Sequence, residues 1–109
     1  MKRVGSVIGV KPEEIADYKA LHAAVWPGVL AKIEACNITN YSIFLREPEN
    51  LMFSYFEYVG SDFEADMAKM AEDPETQRWW AVCGPKQEPL TTREPGEWWA
   101  STEEVFHVD

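Results

Sequence analysis

This 109-residue chain contains only two histidines, His22 and His107. His22 closes the run Tyr18-Lys19-Ala20-Leu21-His22. Tyr18, His22 and Trp26 are spaced i, i+4, i+8, which stacks them in one column on a helix. An imidazole titrates near neutral pH, so it both gives and takes protons under ordinary conditions. A phenol one turn away is a donor and acceptor for a hydroxylated ligand. The chemistry open to such a pair is general acid–base catalysis. A plainer reading stands beside it: a core histidine satisfied by a tyrosine or a backbone carbonyl. The helix alone leaves both open.

A second unusual run is Arg78-Trp79-Trp80. Adjacent helical positions point about 100° apart, so the two indoles cannot share a face. One packs in the core and the other faces a groove. Plain packing explains them. An aromatic wall with an N–H handle would suit a ligand that has both C–H faces and hydroxyls. Tyr41 is a packing residue that also offers a phenol. Trp98-Trp99 follow a Pro-Gly turn, where they brace the late loop or cover a pocket. His107 falls in the predicted last strand, facing opposite to Phe106 and Val108, with a structural or interface role ahead of a catalytic one. Two histidines and two distant cysteines, Cys36 and Cys83, give no metal-ligand spacing. No glycine-rich phosphate loop or nucleophile motif is present.

These residues need elements to position them. Arg3 to Val10 alternates with β-branched residues and predicts a first strand. Pro12 with Glu13 and Glu14 opens a helix that runs to about Ala24. Tyr18, Leu21 and His22 then lie, with Ile15, Val25 and Trp26, in an apolar arc of roughly 140°. Pro27 ends that helix and starts a second one, ending near Asn37. The runs from Ile38 and from Asn50 predict two strands joined by a turn at Glu47 to Asn50. Ser61 to Glu64 has the form of a capping box for a helix through about Ala71. Asp73-Pro74 caps another that carries the tryptophan pair and stops at Gly84-Pro85. A Pro- and Thr-rich loop follows, and Glu103 to Asp109 predicts a last strand.

Strand, helix, strand, strand, helix, strand is the α+β, ferredoxin-like split βαβ pattern, an antiparallel sheet with helices on one face. Along the second strand Tyr41, Ile43 and Leu45 point one way, opposite Ser42, Phe44 and Arg46. Along the third, Leu51, Phe53 and Tyr55 oppose Met52, Phe56 and Tyr58. Both faces are therefore partly apolar, and helices cover only one. A homodimer with facing sheets is the expectation.

Length predicts one domain spanning residues 1–109. The net charge is −9. With no basic cluster, the chain is a poor match for nucleic acid or anionic membranes. Two well-separated cysteines leave a lone disulfide open but read first as reduced core thiols. The start of the chain is too short and β-like for a secretory signal, and no run reaches membrane-spanning length. A cytoplasmic protein is expected.

Taken together, several motifs resemble the L-rhamnose mutarotases along nearly the whole chain. They are Y-x-x-x-H-x-x-x-W-P (Tyr18, His22, Trp26, Pro27), NYSIFL (Asn40 to Leu45), NLMF (Asn50 to Phe53), QRWW (Gln77 to Trp80) and EVF (Glu104 to Phe106). Each is weak alone, but their order and spacing together are specific. The resemblance implies a dimeric α+β barrel that interconverts the anomers of a free 6-deoxy sugar without a cofactor. It implies that His22 is the proton donor and that Tyr18, Tyr41, Trp79 and Trp80 bind the sugar. Ala23 and Gly28 depart from the family pattern of Asn and Glu. The late loop with Trp98-Trp99 is longer than is typical, and the tail lacks the family's tyrosine. These departures leave L-fucose as a competing sugar. Two further functions compete on the same fold. One is a non-catalytic sugar-binding module, and the other is a haem-binding monooxygenase with His22 or His107 as axial ligand.

Overall fold

The structure is a computed structural model that describes all residues from 1 to 109. Its frame is an antiparallel sheet of β1 (Lys2–Val10), β2 (Ile38–Arg46), β3 (Leu51–Tyr58) and two short pieces, β4 (Gln87–Glu88) and β5 (Ala100–Ser101). The order across the sheet is β2-β3-β1-β4, with β5 also on β1. Four helices complete the fold: α1 (Ile15–His22), α2 (Pro27–Ala35), α3 (Phe63–Glu72) and α4 (Pro74–Cys83). This is the expected ferredoxin-like α+β arrangement.

Register decides which side chains meet the helices. Leu45 pairs with Met52, which pairs with Ile8. That row faces the helices, and Ile8 and Met52 are almost fully buried. The next row, Phe44, Phe53 and Val7, faces the other way. Phe44 is 65% exposed and Phe53 44%. The main core joins Ile8, Val10 and Met52 of the sheet to Tyr18 of α1, Val29 of α2, and Trp79 and Cys83 of α4. A smaller cluster of Cys36, Ile38 and Met70 lies towards α3. Both cysteines are buried and unpaired with each other.

The edge next to β1 is one strand cut in two. Gln87 and Glu88 pair with Val10 and Gly9, and Ala100 and Ser101 pair with Val7 and Ser6. Residues 89–99 loop out between the two halves. The loop is braced from within. Arg93 donates to the carbonyls of Leu90 and Glu97, at 2.9 and 2.8 Å, and Glu97 Oε1 accepts from Glu94 N at 3.0 Å.

Four expectations are corrected. The first helix is preceded by a single 3-10 turn, Pro12–Glu14, and ends at His22 rather than Ala24. Trp26 is the extended residue before α2, with φ −59° and ψ 134°, because Pro27 disfavours a helical residue ahead of it. The α3 cap is Asp62, whose carboxylate accepts from Ala65 N at 3.1 Å, so the Ser61–Glu64 box does not form. Residues 102–109 form no strand: Val105 is 88% exposed and Phe106 80%. The alternating pattern is present, but β5 has already taken the place beside β1. His107 instead meets Asp109, 2.9 Å from its Nε2.

Candidate active site

A cavity of about 120 Å³ opens between α1 and the helix-facing side of the sheet. Ile15, Tyr18, Lys19 and His22 line it from α1, and Val10, Ile43, Leu45 and Met52 line it from β1, β2 and β3. The alternation of β2 and β3 supplies the apolar floor, and one turn of α1 supplies every polar group. The N-terminal end of α1 is tied down by Lys86, whose ammonium lies 2.7 Å from Glu14 and 3.6 Å from Asp17.

His22 is held on three sides. Its Nδ1 lies 2.9 Å from the carbonyl oxygen of Tyr18. Its ring stacks on the Tyr18 ring at 4.2 Å, and the edge of Trp79 meets it at 5.2 Å. Trp79 in turn meets Trp26 at 5.1 Å. A carbonyl only accepts, so Nδ1 carries the proton and donates it. In the neutral ring Nε2 is therefore an unprotonated base. The backbone carbonyl that the plainer reading of His22 expects satisfies one nitrogen, and Nε2 has no hydrogen-bond partner in the protein.

The Tyr18 phenol is buried, which pushes its pKa up to about 12 against the opposing effect of a hydrogen bond from Gln87. It also feels the Tyr41 phenol and the Cys83 thiol. Burial raises Tyr41 as well. Tyr41 is 43% exposed as a residue, and its ring packs on Phe56 at 5.4 Å. Burial lifts the Cys83 thiol to about 11, which keeps it protonated and unreactive.

Sequence reasoning named five site residues. The structure brings Tyr18, His22 and Trp79 together. Trp79 is buried and braces the imidazole without lining the cavity. Trp80, about 100° around the helix, is 47% exposed and outside it. Tyr41 does not line it either. Lys19 and Met52 line the cavity and were missed. Lys19 sits in the run from Tyr18 to His22, and Met52 faces the helices by strand alternation. Gln87 was missed with no local signal. At Gly28, an added Cβ would lie 1.3 Å from Glu75 Oε2, so a carboxylate from α4 already fills that space.

A ferredoxin-like sheet packed against a helix that sets one imidazole and one phenol in an apolar cleft defines a small α+β protein. The family model described as L-rhamnose mutarotase matches residues 3–108. The chain belongs to the L-rhamnose mutarotase family, a family of carbohydrate isomerases. It is 34% identical to the L-rhamnose mutarotase of Oceanobacillus iheyensis and 31% to that of Bacillus subtilis, with 100% of each chain covered. A crystal structure of L-rhamnose mutarotase from Formosa agariphila has the same fold, with a TM-score of 0.79 at 20% identity over 100% of both chains. No helix is long and apolar enough to cross a membrane.

Proposed function

We propose that this chain interconverts the α and β anomers of free L-rhamnose, with His22 as its proton carrier. The observation behind the reading is the 2.9 Å contact of His22 Nδ1 with the Tyr18 carbonyl, beside the cavity. Ring opening breaks the C1–O5 bond, and its electron pair goes to O5. O1 loses a proton and O5 gains one. His22 Nε2 takes the first proton, and the resulting imidazolium donates to O5. Both oxygens are bonded to C1 in the ring form, so one imidazole reaches each. The C1 aldehyde then turns its other face to O5, and the same transfers run backwards as the ring closes. Proton count is unchanged, so the imidazole is regenerated. Free sugars already interconvert in water, and a positioned acid–base group supplies roughly 10²–10⁴-fold.

Tyr18, which lines the cavity, serves the sugar hydroxyls. Trp79 serves through His22, and Tyr41 and Trp80 as sugar contacts rest on the family resemblance. At about 120 Å³ the cavity is smaller than the roughly 150 Å³ that holds a benzene ring. It takes the anomeric end of a sugar rather than the whole ring. Ile43, Leu45 and Met52 suit C–H surface and the methyl group of a 6-deoxy sugar.

The working form is a homodimer. Phe44, Phe53 and Val7 make an apolar row on the uncovered face, and Val105 and Phe106 add exposed apolar surface. Two buried free cysteines fit a reducing, cytoplasmic setting. Exchange NMR of the anomeric protons tests the reading. Faster exchange for L-rhamnose than for L-fucose is expected. No acceleration for either sugar defeats it, and a preference for L-fucose reassigns the substrate.

A further inference from the structure

Gln87 sits on β4, outside the cavity lining, and is only 8% exposed. It bridges two side chains. Trp98 Nε1 lies 2.6 Å from its Oε1, and its Nε2 lies 3.0 Å from Tyr18 Oη. The direction of both bonds follows from chemistry. An indole N–H only donates, so the Gln87 atom facing Trp98 must be the carbonyl oxygen. The amide nitrogen must then face Tyr18, and an amide NH₂ also only donates. Tyr18 Oη is therefore the acceptor in this bond. Its own proton points elsewhere, and no protein group takes it.

We infer that Gln87, locked by Trp98, is a positioning residue that fixes the Tyr18 hydroxyl as a hydrogen-bond donor towards the sugar in the His22 cavity. The inference rests on the mutarotase reading for the identity of the ligand, but not for the bond directions. Without the lock, the Gln87 amide could turn over and present its oxygen to Tyr18. The phenol would then donate to Gln87 and offer the sugar only a lone pair.

The loop is built to hold this lock. Residues 89–99 leave the sheet immediately after Glu88 and return at Ala100. Trp99 packs against the main core, which leaves Trp98 on the outer side of the same turn, 48% exposed. Its indole N–H nonetheless reaches inwards to Gln87. The loop thus controls Tyr18 from outside the pocket. It also divides the labour: His22 moves the proton, and Tyr18, held protonated, stabilises negative charge that develops on the sugar oxygen as the ring bond breaks.

Three variants test the inference. Gln87→Glu keeps the shape but accepts from both neighbours, so it draws the Tyr18 proton away. Trp98→Phe removes the indole donor and frees the amide to turn. Tyr18→Phe removes the group both act on. Gln87→Glu is expected to lower kcat/KM by about tenfold, the weight of one ordinary hydrogen bond, and Trp98→Phe by less. Added to Tyr18→Phe, neither should lower it further. Losses that multiply instead would mean that Gln87 acts through general packing and would overturn the inference. So would wild-type kinetics in both variants.

A second readout needs no activity. In ¹H–¹⁵N spectra the Trp98 indole resonance should move in Gln87→Leu, and the Gln87 amide resonances should move in Tyr18→Phe. Unmoved resonances overturn the clamp. A wild-type protein that speeds no sugar exchange, with the resonances moving as expected, would defeat the mutarotase reading and the donor role towards the sugar while keeping the clamp.

Discussion

The imidazole of His22 points its Nδ1 at the carbonyl oxygen of Tyr18, 2.9 Å away and one helical turn earlier. This is the less common tautomer for a free imidazole, and the α1 backbone selects it. ¹⁵N chemical shifts of labelled histidine should therefore show His22 with the proton on Nδ1 and a bare Nε2 in the neutral state. The opposite pattern would remove the base from the cavity.

Replacing His22 by Ala should lower the sugar exchange rate by roughly 10²–10⁴-fold. The far-ultraviolet circular dichroism should stay unchanged, because His22 is the last residue of α1 and only half-buried. A variant that keeps its rate would move the proton chemistry to another group.

Tyr18 makes stability depend on alkaline pH. Its phenol stands at about 12 when folded, against an ordinary 10.0. The folded state therefore holds the proton more tightly than the unfolded state. Its contribution is complete below pH 10.0 and is lost as pH rises towards about 12. Urea melts across that range should show a downward slope that flattens in Tyr18→Phe.

Asp66 acts at the acid end. It is 7% exposed and accepts from the Tyr58 phenol and, at 3.0 Å, from Asn37 Nδ2. Those bonds, Tyr58 first, hold its carboxyl below the ordinary 3.8. The stabilisation is present above pH 3.8 and is lost as pH falls through the lower folded value. Asp66→Asn should melt earlier than wild type at pH 7, with the gap closing in acid. Gly60 guards the same cluster, since an added Cβ would lie 2.4 Å from the Tyr58 hydroxyl. Gly60→Ala should cost about 1–3 kcal/mol in denaturant melts through overpacking.

The uncovered sheet face gives an assembly test. Phe44→Asp puts a charge at the β2 end of the Phe44–Phe53–Val7 row, on its most exposed member. Sedimentation velocity should show dimer for the wild type and monomer for the variant. A wild type that runs as a monomer at micromolar concentration would defeat the homodimer.

Much of this was legible in the chain. Pro27, Asp73 and Pro74 carry their boundaries in their own backbone chemistry, and the hairpin carries its in alternation. Tyr18 and His22 could be paired because helical spacing is a local rule. The final strand failed for the opposite reason. Glu103 to Asp109 alternates well, but pairing also needs an unoccupied edge, and no local pattern reports that. β4 and β5 are two residues each, too short to show a period. Gln87 was invisible because its meaning lies in partners 11 and 69 positions away. Lys19 was in view, but helical spacing could not show which side of the column the cavity would open on.

The divided edge beside β1 has one more consequence. A long, flat outer strand is a template on which a stray strand from another molecule can add. Here the outer strand is broken after Glu88 and resumes only at Ala100, with a self-bonded loop standing in the gap. An incoming strand finds two residues of ladder, then an obstacle, then two more. The same break that brings Trp98 to Gln87 also guards this side of the sheet against aggregation.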